Sequence, residues 1–190
     1  MKLSRTTIRL APVLVIAAGA MSFSATPAVA EERTCRGTIG AATLDNVRVP
    51  RGATCVLNGT RLKGSLKVEA GASLRAKRVQ VNGNVQGEGA RSVYVAYSRI
   101  GGSVQLVQGR AANLSRNAVN ADILFDDNRG AITASRNKVG GNLQAFQNRS
   151  RTLISSNRID GNLQCKENTP RPTGGGNVVQ GNKEDQCRRL

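Results

Sequence analysis

The chain repeats one hydrophobic pattern every 19 to 20 residues. A small residue marks the centre of a recurring turn at Gly64, Gly83, Gly102, Ala121, Gly141, Gly161 and Gly181. Two residues before each stands an aliphatic: Leu62, Val81, Ile100, Val119, Val139, Ile159 and Val179. Two residues after stands another, Leu66, Val85, Val104, Ile123, Leu143 and Leu163, and the column breaks at Lys183. The next alternate position reads Val68, Gly87, Leu106, Phe125, Ala145 and Cys165. Alternation of period two on both sides of a bend predicts short strands with one face inward. Later in each repeat a second strand places Leu74, Val93, Ala112, Ile132 and Thr152 inward, with Ala76, Val95, Leu114, Ala134 and Ile154 beside them.

Strands this short and this regularly spaced pair with the equivalent strand of the next unit. The chain then winds as a coil, one turn per repeat, with parallel strands about 4.8 Å apart. The expectation is an all-β fold: a single-stranded parallel β-helix, or solenoid, of about seven coils of 19–20 residues. The usual crossover hand makes it right-handed. A left-handed hexapeptide helix would need an aliphatic at every sixth position, and the spacing here is uneven. A β-sandwich would not produce columns of one polar residue. Such columns are present: Asn117, Asn137, Asn157 and Asn177; Asn128, Asn148 and Asn168; Asn142, Asn162 and Asn182. Asn tolerates left-handed backbone angles at bends, and stacked amides can donate to one another from coil to coil.

Composition agrees with this reading. Of 190 residues 21 are Gly, only 3% are aromatic, and Trp and His are absent. A core must be filled by Val, Ile, Leu and Ala. Without His there is no Ser-His-Asp or Cys-His catalysis, and no His-ligated zinc.

The first 30 residues read as a cleaved export signal. Lys2, Arg5 and Arg9 form a positive start, Leu10 to Ala20 is apolar, and Ala28-Val29-Ala30 fits the cleavage pattern. The apolar run is too short to span a bilayer, so no membrane span is expected after cleavage. The mature chain, 31–190, forms the β-helix domain, with a Pro/Gly loop and terminal cap at 166–190. Its location is secreted, either extracellular or bound to the cell wall. It keeps 25 of the 28 Lys and Arg against 12 Asp and Glu, a net charge of +13.

All four cysteines lie in the mature chain, and an even count in an exported protein reads as two disulfides. Of the three pairings, the register favours Cys35–Cys55, which staples the first coil to the second, and Cys165–Cys187, which closes the last. A four-thiolate metal site would lack any C-x-x-C pair, so no metal and no cofactor are expected. Staples at both ends, and Lys183 in an inward column, argue for a monomer rather than end-to-end fibres.

The run Gly161 to Pro170 and the run Gly174 to Cys187, with Val49 to Cys55, resemble exported actinobacterial proteins of uncharacterised function. The resemblance implies a right-handed β-helix and brings no catalytic residues with it. More distantly the coil resembles the pectate-lyase-like fold, whose enzymes carry substrate loops that this chain lacks.

Two functional readings follow. Stacked coils make stacked basic rows, with Arg61, Arg99, Lys138 and Arg158 in one position, and Arg116 above Arg136 in another. Such rows attract polyanions: cell-wall anionic polymer, acidic polysaccharide, anionic lipid head groups or extracellular DNA. Few aromatics are placed to stack bases, so dedicated nucleic-acid binding is not expected. The chain is then a non-enzymatic binding or structural module of the cell envelope. The alternative is a small carbohydrate-active enzyme using Asp122, Asp126 and Asp127, with Arg99, Arg116 and Arg136 on adjacent coils.

Overall fold

The computed structural model describes residues 31–190. The proposed export signal, 1–30, lies outside the described residues. Among the described residues there are twenty-five short strands and no helix, the strands grouped in three parallel sheets of nine, eight and eight. Each turn contributes one strand to each sheet in a fixed order. One turn, for example, runs Ile123–Asp126 in the first sheet, Ile132–Ser135 in the second and Lys138–Val139 in the third. This is the parallel β-solenoid read from the periodicity.

It has about eight turns rather than about seven. The extra turn is N-terminal, where the period fails: Glu32 pairs with Asn46 and Thr43 with Arg61, steps of 14 and 18 residues. Later steps are 19 in every sheet, then 20 in every sheet. All three sheets change at one bend. Two residues separate inward Gly109 from Ala112, whereas three separate Asn128 from Ile132 in the next coil. The added residue stays in the bend, so no strand slips in register.

Every inward column identified in the sequence is buried up to its last coil, where Val179 is partly buried and Lys183 is not apolar. The disulfides are Cys35–Cys55 and Cys165–Cys187. The Pro/Gly segment is not all loop. Thr173–Gly175 extends the second sheet and Lys183–Asp185 the first, leaving a short terminal turn that ends in Leu190.

The asparagines of the first two columns lie inside the bends, buried, and build hydrogen-bonded ladders. Oδ1 of Asn137 accepts from the backbone N–H of Asn117 at 3.0 Å and from its Nδ2 at 3.1 Å. Asn157 does the same for Asn137, and Asn177 for Asn157. At the bend between the first and second sheets, Asn128, Asn148 and Asn168 form a second ladder, capped by Oε1 of Gln186. The left-handed backbone angles fall on the residue before each asparagine. Arg116, Arg136 and Ser156 precede the first ladder with φ near +56, and Asp127, Gln147 and Glu167 precede the second. A non-glycine residue pays about 1 kcal/mol for that conformation. The turned chain leaves the next N–H without a backbone acceptor, and the asparagine side chain of the neighbouring coil supplies one.

The third column has the opposite polarity. Here the later coil donates: Asn162 N–H to Oδ1 of Asn142, and Asn182 N–H to Oδ1 of Asn162, both at 2.8 Å. This column also explains the small residue at each turn centre. A Cβ at Gly102 would overlap Oδ1 of Asn84, and one at Gly141 would overlap Oδ1 of Asp122. Ala121 is the exception. Its rung is looser: Ala121 N–H lies 3.3 Å from Gly102 O and Asp122 N–H 3.3 Å from Oγ of Ser103, whereas the Gly83 rung keeps 2.8 Å and a Cβ there would overlap Oγ of Ser65.

Candidate polyanion-binding face

Charge is unevenly placed around the solenoid. All twelve acidic residues lie on the first sheet, next to it in sequence, or in the bends on its two sides. The second sheet, the third sheet and the bend joining them hold none. That half of the circumference carries nine basic residues: Arg61, Arg75, Lys77, Arg78, Arg99, Arg116, Arg136, Lys138 and Arg158. The sequence shows net charge, but only the assignment of each residue to a sheet shows this segregation.

Two columns hold most of these cations. The outward position of the third sheet reads Arg61, Gln80, Arg99, Ala118, Lys138 and Arg158 on consecutive coils. The adjoining bend reads Arg78, Tyr97, Arg116 and Arg136, all with φ between 53 and 56. Each of those four donates its backbone N–H to the following coil, to the carbonyls of Ala96, Ser115, Ser135 and Ser155 respectively. The six basic residues read from the sequence therefore share one edge, and Arg78, with Tyr97 between basic neighbours, adds to it. Arg78 could have been found by extending the Arg116–Arg136 column backwards by two steps of 19 residues, past Tyr97.

The fold does not require these charges. Gln80 and Ala118 fill the same outward row as Arg61 and Arg99. Like charges one rung apart repel by about 1 kcal/mol even at the dielectric constant of water. None of the nine cations has a carboxylate within 4.0 Å, whereas Arg48 bonds both Glu32 and Glu69 on the first sheet. Hydrogen bonding to those two carboxylates raises the pKa of Arg48 further above its usual value.

At the centre of the basic edge lies a depression of about 470 Å³ lined by Arg78, Tyr97, Arg99 and Arg116, with Ala118 and Gln80 beneath. Tyr97 is 49% exposed. Arg116 sits 5.2 Å from its ring centroid and donates from Nη1 to its hydroxyl at 2.7 Å, while Nζ of Lys77 lies 5.9 Å from the ring. The ring holds both cations at defined positions without neutralising them.

The aspartates are dispersed. Asp122 is a rung of the third column: its Oδ1 accepts from the N–H of Asn142 at 2.6 Å and from Nδ2 at 3.2 Å. Asp126 ends its strand four residues later, about 13 Å along an extended chain, in a small hollow with Phe146, Gln147, Lys166 and Glu167. Asp127 occupies the left-handed position of the next bend, 3.5 Å from Nε of Arg149. Arg116 and Arg136 lie at the far edge of the second sheet from Asp126 and Asp127, and Arg99 is on the third. The larger hollow, about 790 Å³ on the first sheet, is lined by Glu69, Gln86, Glu88, Gln105 and Leu124, among others, and contains none of the three aspartates. Among the described residues no group of three or more Cys, Asp and Glu is placed to hold a metal ion. No helix among them is long and apolar enough to cross a membrane. Compared with known family models, curated proteins and solved structures, the chain matches none.

Proposed function

We propose that the protein is an exported, non-enzymatic β-solenoid that binds linear anionic polymers of the cell envelope along the edge between its second and third sheets. One observation carries this reading: nine cations and no acid over that half of the surface. Rungs about 4.8 Å apart present charge at a nearly constant pitch, which suits a repeating polyanion lying along the solenoid axis. The export signal read from residues 1–30 supports a polymer outside the membrane, as wall polymer or acidic polysaccharide. Two disulfides accord with that oxidising location.

The test is binding to purified wall teichoic acid across a salt series. Affinity is expected to fall steeply with salt, because exposed charges are screened beyond about 8 Å at physiological ionic strength. Changing Arg99, Arg116, Lys138 and Arg158 together to Gln should weaken binding at least tenfold with unchanged circular dichroism. Binding that ignores both salt and these four changes would overturn the reading.

A further inference from the structure

A second row of arginines runs along the opposite edge of the second sheet. Arg91, Arg110, Arg129 and Arg149 follow inward Ala90, Gly109, Asn128 and Asn148 on four consecutive coils, and all four are exposed. Backbone bonds fix the stack: Arg110 N–H donates to Ala90 O at 2.8 Å, Arg129 to Gly109 O at 2.9 Å and Arg149 to Asn128 O at 2.8 Å. One carboxylate approaches them, Asp127, 3.5 Å from Arg149. Arg151 lies in the same bend on Arg149's own coil, and Arg171 in that bend on the next.

Between this row and the Arg78–Arg136 row lies the outer face of the second sheet. Its column nearest the Arg116 edge reads Lys77, Ala96, Ser115, Ser135 and Ser155, and its central column reads Arg75, Tyr94, Asn113, Thr133 and Leu153. Small side chains line both rows: Ser115, Ser135 and Ser155 on the Arg116 side, Ser92 and Ala111 beside Arg91 and Arg110. Arg110 and Arg116 are joined by one extended strand, Ala111–Ser115, which separates the rows by about 18 Å.

We propose that this face, bordered by arginines on both edges, docks onto a planar anionic surface, namely a bilayer containing anionic phospholipid. A linear polymer along the axis meets one row and leaves the other idle. The two rows are also farther apart than the roughly 12 Å major groove of duplex DNA. A plane of head groups meets both rows at once, and Tyr94 and Tyr97 stand on that side as amphipathic rings suited to the head-group layer. The proposal rests on the preceding one for the Arg116 row alone. The Arg91 row is new and separable from it.

The experiment is cosedimentation with vesicles of phosphatidylglycerol mixed with phosphatidylcholine, against pure phosphatidylcholine. The protein should pellet with the mixed vesicles only. R91Q/R110Q/R129Q/R149Q should lower that binding at least tenfold and leave teichoic acid binding within about twofold. The same four positions changed to Lys should retain most of the vesicle binding, which separates charge from folding. Loss of teichoic acid binding to the same extent, equal vesicle binding by the Gln variant, or tighter binding to duplex DNA than to vesicles would overturn the proposal. If vesicles are not bound but teichoic acid is, this inference falls and the preceding reading stands.

Discussion

Oδ1 of Asn137 takes two hydrogen bonds from Asn117, 20 residues earlier, one from its backbone and one from its side chain. Nδ2 of Asn137 in turn donates to the carbonyl of Leu114 and to Oδ1 of Asn157. Each interior asparagine side chain thus serves a backbone N–H and a carbonyl in the coil before it, while its own N–H is served by the asparagine of the coil after.

Asn137→Ala should therefore be costly. It leaves the buried N–H of Asn117 without an acceptor, removes one of the two bonds made by Asn117 Nδ2 (which keeps the carbonyl of Val95) and takes a donor from the carbonyl of Leu114, at about 1–3 kcal/mol for an orphaned group. A loss of about 3 kcal/mol is expected from the urea midpoint. Asn177→Ala, which orphans the equivalent N–H of Asn157 and takes the same donor from the carbonyl of Ile154, should cost about as much.

Asp122→Asn should be nearly neutral. An amide oxygen can keep both bonds from Asn142, and asparagine already holds this position one and two coils later. A change within about 1 kcal/mol is expected. Collapse of the fold on this substitution would contradict the rung role.

Gly141→Ala should destabilise strongly, because the new Cβ overlaps Oδ1 of Asp122. Thermal unfolding of the variant checks this.

Stability should fall in acid, starting at the N-terminal coils. The backbone N–H of Arg51, bonded to Glu69 at 2.9 Å, holds that carboxyl below its ordinary pKa against a partial opposing effect of burial, and Arg48 assists. The Lys63 ammonium beside Asp45 does the same there. A carboxyl whose pKa is lower when folded stabilises above its unfolded value, about 4, and loses that contribution as pH falls through the folded value. Hydrogen exchange at Val49 and Ala72 should accelerate below pH of about 4, and Glu69→Gln should flatten that dependence.

Removing Cys35–Cys55 by a double serine change should cost about 3 kcal/mol, the chain-entropy value for a loop of its 20-residue separation. Exchange protection should drop first around Thr38 and Val56, which the staple holds together.

The columns Leu66 to Leu163 and Leu74 to Thr152 were legible because a solenoid writes its geometry as a sequence period. Side chains twenty apart become vertical neighbours, so inward apolar positions must recur. The ladders were legible for the same reason. The angles at Arg116 and Arg136 were not: Asn117 and Asn137 look like the natural left-handed residues, yet their amides are needed inside. The first turn was also hidden, since the steps of 14 and 18 break the period. For the charges, individual rows such as Arg99 and Lys138 could be found by counting. The acid-free half could not, because it depends on which of three sheets every residue joins. The dispersal of Asp122, Asp126 and Asp127 needed the bends as well as the strands.

Once the bend after Asn128 has absorbed its extra residue, the three sheets share one repeat length to the end of the coil. A segment copied from Ile132 to Arg151 and inserted after itself would meet matching partners above and below in all three sheets. Molecular length is consequently open to adjustment in whole rungs by tandem duplication, and each added rung would bring one more Arg136, Lys138 and Arg149 to its outer edges.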